Sequence, residues 1–569
     1  MPFSLISHGT PSRWVAPCIA VAVIAFAYFW NLGSPVLWGD EADTVDFSRN
    51  VLQKGVPDGF DGRNLLVFDN CASVSTSLLS KKAPWVQFYV GAVSLFVFGS
   101  TTMGARALFA LIGLLTFFPL YSILRRHSRC PALIAALVLV APQFVLFQRN
   151  ARYFPILVFL FVTTIWTYYH RFKHPHMRPV LLFVCMLLLF HTHQLAAFCI
   201  ASSFCVYAML KKDKALPVLA GAFACGALSW AVFNALLSDA RPGEYSIVHL
   251  LFTNPAEWLS LFVTGCRVGI LDLDFSNSTP LIGWGVLAVV SAKRNVRAKI
   301  LRALDNPLCY LLGIAGVLQV VGAAGAIGYE SQFKYSVLRY FPNIVGFATI
   351  PLLLALEALI AGDSFTEGSR IQPSVGASLT ASAVTRKSRR RLIVPWLLVA
   401  ALSNNVLTVS LWLRPLSDRQ SALSWWWPVY AEIIRPPLDP MKRVLDLLAQ
   451  EDCGTDNAIS VWPPFLNEVL IHYVGWKYFV VPDIREDSEC AKVVAGKIGH
   501  ARVQKFSSPP KWAVLVFAEA RDVPAGYSLV KIPFNRASAD ATRPELTRHG
   551  FAVPAGDTVG FINVYKRID

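Results

Sequence analysis

The stretch APCIAVAVIAFAYFWNLGSPVLWGDEADTVDF (residues 16–47) decides the class of fold. It begins within an apolar run and ends with four carboxylates inside seven residues, at Asp40, Glu41, Asp43 and Asp46. An apolar segment of about 20 residues is long enough to cross the ~30 Å hydrocarbon core of a bilayer. The chain therefore places a dense acidic segment directly after a candidate membrane helix.

The composition is that of a membrane protein with several spans. Of 569 residues, 54% are hydrophobic and only 15% are charged, with a mean hydropathy of +0.48. A soluble chain carries about 25% charged residues. The formal net charge is +16, from 52 Lys+Arg and 36 Asp+Glu. In a membrane protein this excess predicts basic cytoplasmic loops, and no motif for nucleic-acid binding accompanies it.

Eleven apolar runs are candidates for membrane helices, and several are short for a full crossing. The first lacks a small-residue cleavage site after it and is interpreted as an uncleaved signal anchor. The runs are 14–31, 104–124, 131–147, 153–170, 179–191, 194–210, 215–237, 280–292, 308–328, 337–360 and 392–413.

The loops between these runs alternate in charge, which predicts the orientation of the chain. Placing every basic loop in the cytoplasm puts the N-terminus there and the C-terminus outside. The run 83–99 does not fit this scheme, because a crossing there would move Arg125 and Arg126 outside. We therefore expect 83–99 to form an interfacial or re-entrant helix on the outer face. The basic loops lie at 125–129, 171–178, 211–214, 293–302 and 386–391.

Two domains are predicted. Residues 1–413 form a polytopic α-helical membrane domain with an outer loop at 32–103 and a cytoplasmic loop at 361–391. Residues 414–569 contain short apolar runs that alternate with helix-like stretches, which is typical of a small α/β domain, here extracytoplasmic. That domain contains Cys453 and Cys490, which could form a disulfide bond outside the cytoplasm. Their separation in the sequence does not show whether they are close enough to do so.

The predicted topology collects unusual polar residues on the outer face. Ionisable groups at membrane helix ends are costly unless they face a cavity or a partner, so their common side indicates a polar cavity. Besides the acidic cluster, the set comprises Lys81, Lys82, Gln148, Arg149, Asn150, Arg152, Tyr153, His191, His193, Asp272, Asp274 and 330–339.

The types of these residues indicate group transfer. Asp40 or Glu41 in a partly dry pocket is suited to act as a general base toward a hydroxyl or an amine. Cationic side chains are suited to a phosphate. A base beside a phosphate cradle predicts transfer from a phosphate-linked donor. The cationic candidates are Lys82, Arg149, Arg152 and Arg339.

Each residue also has a simpler interpretation. The acidic cluster is explained as a helix cap on a wet loop, with Asp43 and Asp46 on the helix surface. Arg149 and Arg152 are explained as snorkelling side chains, which extend along the apolar surface and place their charged groups at the membrane–water interface. The segment 191–193 holds two histidines at a helix end, where packing is favoured over metal binding. Only the common sidedness of the whole set favours a functional site.

The order of motifs resembles that of a known family. W-x-D-E and F-S-R-N-V-L lie in residues 38–52, and further motifs follow at similar spacing. Over roughly residues 14–360 the chain resembles the GT-C glycosyltransferases of the protein O-mannosyltransferase and aminoarabinose-transferase type, including bacterial transferases that act on lipopolysaccharide core. The further motifs are KAPWVQF (82–88), VFGS (97–100), ARAL (105–108), QRNARY (148–153) and HTH (191–193).

The resemblance implies a polyprenyl-phosphate-sugar donor, used from the periplasmic or lumenal face, and a glycolipid, glycan or protein acceptor. Asp40 is then the base that activates the acceptor, and Glu41 supports it. Donor-phosphate ligands are implied at Lys82, Arg149, Arg152, Tyr153, Arg339 and Tyr340, and cavity-lining residues at Asp43, His191, His193 and Tyr335. Lys82 departs from the family pattern, because Ala83 stands where the family has proline.

The resemblance also bears on metal, location and rival functions. One acidic pair without a second acidic motif favours no metal and no other cofactor, and the location expected is a bacterial inner membrane. A secondary transporter or lipid flippase is the alternative, although the chain lacks the paired halves of many transporters. A noncatalytic scaffold leaves the outer polar residues unexplained.

Overall fold

The fold is described from a computed structural model of the full chain. The description covers residues 12–34, 36–66, 74–81, 83–170, 172–237, 253–267, 281–327, 346–361, 433–434, 440–450, 458–462, 467–480, 512–516, 527–534 and 560–567.

The described part of the chain is dominated by α-helices. They are α1 (Ser12–Phe29), α2 (Gly39–Lys54), α3 (Val86–Phe98), α4 (Thr102–Leu115), α5 (Phe117–Leu124), α6 (Pro131–Leu139), α7 (Pro142–Gln148), α8 (Phe154–Tyr169), α9 (Met177–Phe190), α10 (Gln194–Leu210), α11 (Leu216–Leu237), α12 (Pro255–Arg267), α13 (Leu281–Val290), α14 (Arg294–Leu304), α15 (Pro307–Ile327), α16 (Thr349–Ala361), α17 (Pro440–Gln450) and α18 (Asn467–Val474).

Three stretches of the described chain are long and apolar enough to cross a membrane by themselves. They are Thr102–Leu124, Leu216–Leu237 and Pro307–Gly325, of 23, 22 and 19 residues. Six shorter apolar helices accompany them, among them the helices of runs 14–31, 153–170, 179–191 and 194–210. The run 392–413 lies outside the described residues.

The run 131–147 does not form the single helix that its apolar sequence predicts. It divides into α6 and α7 at Val140 and Ala141, and Ala141 has an extended backbone (φ −59°, ψ 140°). The next residue is Pro142, which lacks an N–H and disfavours a helical conformation in the residue before it. The prediction of one helix over this run is wrong for that reason, and α7 leads directly into the turn that carries Arg149.

The segment 83–99 forms a helix, α3, that is too short to cross a bilayer. Its 13 residues span about 20 Å, against a hydrocarbon core of ~30 Å. One face packs between α2 and α4, with the rings of Phe47 and Phe88 5.1 Å apart. The other face exposes Val93, Phe96 and Val97. The placement of 83–99 as an interfacial or re-entrant helix on the outer face stays a prediction.

The helix bundle has one continuous apolar core around α1, α4, α6 and α8. Small residues allow these helices to approach closely, as is common between membrane helices. Gly113 of α4, for example, leaves room for the ring of Tyr28 and the side chain of Gln148. The Tyr28 hydroxyl donates a hydrogen bond of 2.8 Å to the carbonyl oxygen of Leu139, so the aromatic side chain also joins α1 to α6.

The C-terminal residues form a mixed sheet with two helices beside it. The spatial order is β2-β1-β3-β5-β4; β1 runs parallel to β2 and β3, and β5 runs antiparallel to β3 and β4. Tyr478, just before β2, donates a hydrogen bond of 2.8 Å to the carbonyl of Leu448 in α17. The strands are β1 (Ala458–Trp462), β2 (Phe479–Val480), β3 (Trp512–Val516), β4 (Tyr527–Phe534) and β5 (Gly560–Arg567).

We expect Gly104→Ala to destabilise the turn between α3 and α4. A Cβ atom at Gly104 would lie 2.1 Å from the backbone oxygen of Gly99, and backbone cannot yield as a side chain does. Overpacking of this kind costs about 1–3 kcal/mol. The measurement is the thermal midpoint in detergent, which should fall.

Gly221→Ala is the matched control, because nothing lies within 4 Å of the added methyl group. Alanine is favoured over glycine in a helix by about 0.5–1 kcal/mol, so this variant should be as stable as the parent or more stable. Equal midpoints for the two variants would contradict the close packing of Gly104.

Candidate active site

The acidic cluster lies on helix α2, which is buried although its sequence is polar. The helix begins after Trp38, and Asp40 and Glu41 in its first turn face the positive end of the helix dipole. It ends at Gly55, whose φ of 77° is the left-handed conformation usual after a helix. The side chains of Asp43 and Asp46 are buried. The interpretation of these two aspartates as surface residues is therefore wrong.

Glu41 forms a buried ion pair with Arg106 of α4. The guanidinium binds the carboxylate with two hydrogen bonds, of 2.9 Å from Nε and 2.6 Å from Nη2. The backbone N–H of Ala151 donates another, at 2.8 Å. Arg106 also donates to the carbonyls of Leu32 and Val36, before the helix. These bonds hold Glu41 in one position, so it is better suited to orient the site than to accept a proton.

Asp40 is more accessible to solvent than Glu41. Its side chain is 19% exposed, against 0% for Glu41. Arg152 holds it from one side: Nη2 lies 3.2 Å from Asp40 Oδ2, and Nη1 donates to the Asp40 carbonyl at 2.9 Å. A carboxylate that is oriented by a cation yet reachable from outside has the geometry that a general base requires.

Arg152 joins several parts of the site. Besides Asp40, its Nη1 atom lies 3.9 Å from a carboxylate oxygen of Asp43 and 3.4 Å from the hydroxyl of Thr44. The guanidinium lies 5.6 Å from the ring centre of Tyr153. Its Nε atom is buried and has no hydrogen-bond partner among the described residues. The positive charge of Arg152, close to Asp40, is what suits this position to an anionic ligand.

Arg149 contacts the end of the first helix, and its role as a ligand of the donor phosphate stays a prediction. Its Nη1 atom donates to the carbonyls of Ala27 and Trp30, at 2.9 and 2.8 Å, and Nη2 donates to that of Asn31 at 3.2 Å. These carbonyls lie at the end of α1, where backbone oxygens lack helical partners. Arg149 therefore caps the first helix with the charge that the negative end of its dipole favours.

The two histidines are engaged in packing and capping. His193 begins α10 by accepting a hydrogen bond of 3.2 Å from the Ala196 N–H, and its ring lies 4.6 Å from that of Tyr153. The Nε2 atom of His191 lies 3.2 Å from the Ser229 hydroxyl. Within the described ranges no three His, Cys, Asp or Glu residues lie close enough together to hold a metal ion. His193 thus borders the site through Tyr153.

Three predicted phosphate ligands, one predicted cavity residue and two further acids lie outside the described residues. The ligands are Lys82, Arg339 and Tyr340, the cavity residue is Tyr335, and the acids are Asp272 and Asp274.

Helix α18 packs directly against α2 and contacts the chain before it. His472 Nδ1 lies 3.0 Å from Asp46 Oδ1 and 2.9 Å from Arg49 Nη2. The Tyr473 hydroxyl accepts a hydrogen bond of 2.9 Å from the Leu37 N–H. The same hydroxyl lies 2.7 Å from Thr102 Oγ1, at the start of α4. Burial raises the pKa of Tyr473, so this phenol stays protonated while it bridges the two segments.

Sequence reasoning missed Arg106, His472 and Tyr473. A signal existed for Arg106, which is the one charged residue of the apolar run 104–124. A cation there needs an acidic partner, and the cluster at 40–46 is the nearest dense source of acids. No local pattern marks the other two residues.

Comparison with known proteins shows the fold. No protein-family model matches the chain, and no curated protein matches it. ArnT from Cupriavidus metallidurans bound to undecaprenyl phosphate has the same architecture, with a TM-score of 0.54 and 15% identity over 98% of both chains. The apo structure of the same ArnT matches with a TM-score of 0.51 and 15% identity, over 97% of this chain and 98% of ArnT. The chain therefore has the GT-C glycosyltransferase fold, as the motif order predicts.

A more distant likeness is to the archaeal oligosaccharyltransferase AglB from Archaeoglobus fulgidus, in complex with an inhibitory peptide and a dolichol-phosphate. The TM-score is 0.42 at 13% identity, over 89% of this chain and 69% of AglB.

We expect Arg106→Met to be strongly destabilising, because it leaves the Glu41 carboxylate buried without its cation. Breaking a buried ion pair costs about 3–5 kcal/mol. The double variant Glu41→Met with Arg106→Met removes both charges and should recover much of that loss. The measurement is a double-mutant cycle on the unfolding midpoint in detergent. Additive effects of the two substitutions would show that the pair is not coupled.

Proposed function

We propose that this protein is a membrane glycosyltransferase that moves a sugar from a polyprenyl-phosphate donor to an extracytoplasmic acceptor. The observation that carries the proposal is the pairing of a solvent-reachable Asp40 with Arg152, in front of a Glu41 that Arg106 locks in place. The GT-C fold agrees with this activity. So does the likeness to ArnT, whose structure contains bound undecaprenyl phosphate.

In the proposed reaction Asp40 takes the proton of an acceptor hydroxyl or amine. The acceptor atom attacks the anomeric carbon of the sugar and forms the new bond. The bond from that carbon to the phosphate oxygen breaks, and the polyprenyl phosphate leaves with the electron pair. Arg152 orients the base, and its positive charge stabilises the negative charge that grows on the phosphate as the bond breaks.

Further ligands of the donor phosphate belong to the same proposal. Tyr153 is favoured because its ring packs against both Arg152 and His193. Arg149 is left out, since the end of α1 occupies its guanidinium. Lys82, Arg339 and Tyr340 are retained from the motif order, with Asp43, His191, His193 and Tyr335 lining the cavity. No metal is included.

The topology of the proposed enzyme follows the loop charges. About eleven helices cross a bacterial inner membrane, with the N-terminus in the cytoplasm and residues 414–569 in the periplasm. The acceptor is lipid A or lipopolysaccharide, another envelope glycan, or a protein. A transporter or lipid flippase remains the rival from the sequence, and no contact among the described residues favours it.

Mass spectrometry of cell-envelope glycolipids and glycoproteins, with and without this protein, tests the proposed activity. The expected result is a sugar modification that disappears when the protein is absent, which identifies the sugar and the acceptor together. Unchanged glycans combined with protein-dependent lipid or solute transport in liposomes would favour the rival.

We expect Asp40→Asn to lower the rate of sugar transfer by about 10²–10⁴-fold, the usual contribution of a general base. The amide keeps the shape of the carboxylate but cannot accept the proton. The measurement is the transfer rate per folded protein. Asp61→Asn is the matched control: Asp61 lies in the same outer loop and accepts hydrogen bonds from the N–H groups of Arg63 and Asn64. A fully active Asp40→Asn variant would exclude Asp40 as the base.

We expect Arg152→Ala to impair use of the donor more than use of the acceptor, because the guanidinium is proposed to meet the donor phosphate. The measurement is KM for each substrate, alongside kcat. Arg152→Lys keeps the charge and should retain part of the donor affinity. An unchanged KM for the donor in Arg152→Ala would contradict the phosphate role and leave only the orientation of Asp40.

A further inference from the structure

A small cavity lies at the far end of the helix bundle from the acidic cluster. Its volume is about 100 Å³, several times the ~10–15 Å³ that a single water requires. Arg126, Trp166 and Tyr169 are among its lining residues, together with Ser122 and His127. The cavity is thus large enough for a phosphate group and is lined by a cation and aromatic rings.

Two helical segments fix the position of this cavity. The helical stretch 102–124 carries Arg106 near its start and Ser122 near its end, and the 16 residues between them span about 24 Å. Helix α8 likewise starts next to Arg152 and reaches the cavity with Trp166 and Tyr169. The cavity and the proposed active site are therefore at opposite ends of the same helices.

The charges around the cavity favour an anion. Arg126 is exposed, and its Nη1 atom donates a hydrogen bond of 2.8 Å to the carbonyl of Tyr169. A guanidinium has five N–H donors, so others remain for a ligand. Burial and the charge of Arg126 lower the pKa of His127, which makes its ring neutral at pH 7. The nearby carboxylate of Glu357 accepts from the backbone N–H of Arg129 and is directed to that loop.

The aromatic residues indicate that the cavity opens at a membrane surface. Trp166 donates a hydrogen bond of 3.1 Å to the Ser122 hydroxyl, and its ring stacks on His170 at 4.6 Å. Tryptophan and tyrosine are enriched where hydrocarbon meets water. On α5, one helical turn before Ser122, the ring of Phe118 is 53% exposed and offers an apolar surface to lipid chains.

We propose that this cavity binds the phosphodiester headgroup of an anionic phospholipid, with Arg126 as its ion-pair partner. The acyl chains would lie outside the cavity, along the exposed apolar face of α5. Basic pockets between membrane helices bind anionic headgroups in this way. The site is separate from the proposed transfer reaction and does not depend on it.

The test compares the parent protein, Arg126→Gln and Arg125→Gln in phosphatidylcholine nanodiscs with increasing phosphatidylglycerol. Arg125 is a matched control, because it is the adjacent cation and packs over the Tyr121 ring, away from the cavity. Bound lipid is counted by native mass spectrometry after release. Arg126→Gln should weaken retention of phosphatidylglycerol about tenfold or more, and Arg125→Gln less than about fivefold, the size of a general surface-charge effect.

Three outcomes would overturn the proposal. Equal losses in the two variants would mean a diffuse basic surface. Equal retention of phosphatidylcholine and phosphatidylglycerol by the parent protein would mean that the headgroup charge is not recognised, and this comparison needs no variant. Displacement of phosphatidylglycerol by millimolar inorganic phosphate would assign the cavity to free phosphate. If Arg126→Gln does not fold, Arg126→Lys replaces it, with an intermediate loss expected because lysine keeps the charge without the planar fork.

Discussion

The buried pair of Glu41 and Arg106 is the interaction on which the rest of the site depends. Burying a carboxylate without a cation is so costly that a polar helix such as α2 cannot sit inside a protein unless its acids are paired. Here the acids receive partners from different segments: α4 supplies Arg106, the turn before α8 supplies Arg152, and α18 supplies a histidine. The acids thereby fix three separate segments around one helix.

The same helix turn gives two neighbouring carboxylates different chemistry. Glu41 accepts hydrogen bonds from Arg106 and Ala151, and no solvent reaches it. Asp40 is held by Arg152 and keeps an open side. When environments differ in this way, adjacent acids take on separate roles in catalysis. Glu41 is therefore fixed in position, whereas Asp40 is the carboxylate that solvent reaches.

The sequence predicts the fold well and the site in part. Apolar runs predict most of the helices, and the motif order predicts the GT-C fold. The predicted topology places Asp40 and Arg152 on the same face of the membrane, and the structure brings them into contact although they are 112 residues apart. What the sequence does not predict is the geometry of each partner: the contact of Arg149 with the end of α1, for example, follows from the packing of helices that are distant in the chain. The break at Pro142 was visible in the sequence and outweighs the apolar pattern, because proline removes a backbone donor.

The contact between Asp46 and His472 spans 426 residues and has a consequence for biosynthesis. Chains are made at about 5–20 residues per second, so residue 472 is added roughly 20 to 85 s after residue 46. For that interval α2 lacks α18, and the cation available to Asp46 is Arg49 of the same helix, which lies 3.4 Å from it in the folded protein. The acidic helix therefore reaches its final burial only after α18 has been made and has packed against it. A chain cut before α18 would keep the ion pairs of Glu41 with Arg106 and of Asp40 with Arg152, and would lose the contact that His472 makes with Asp46.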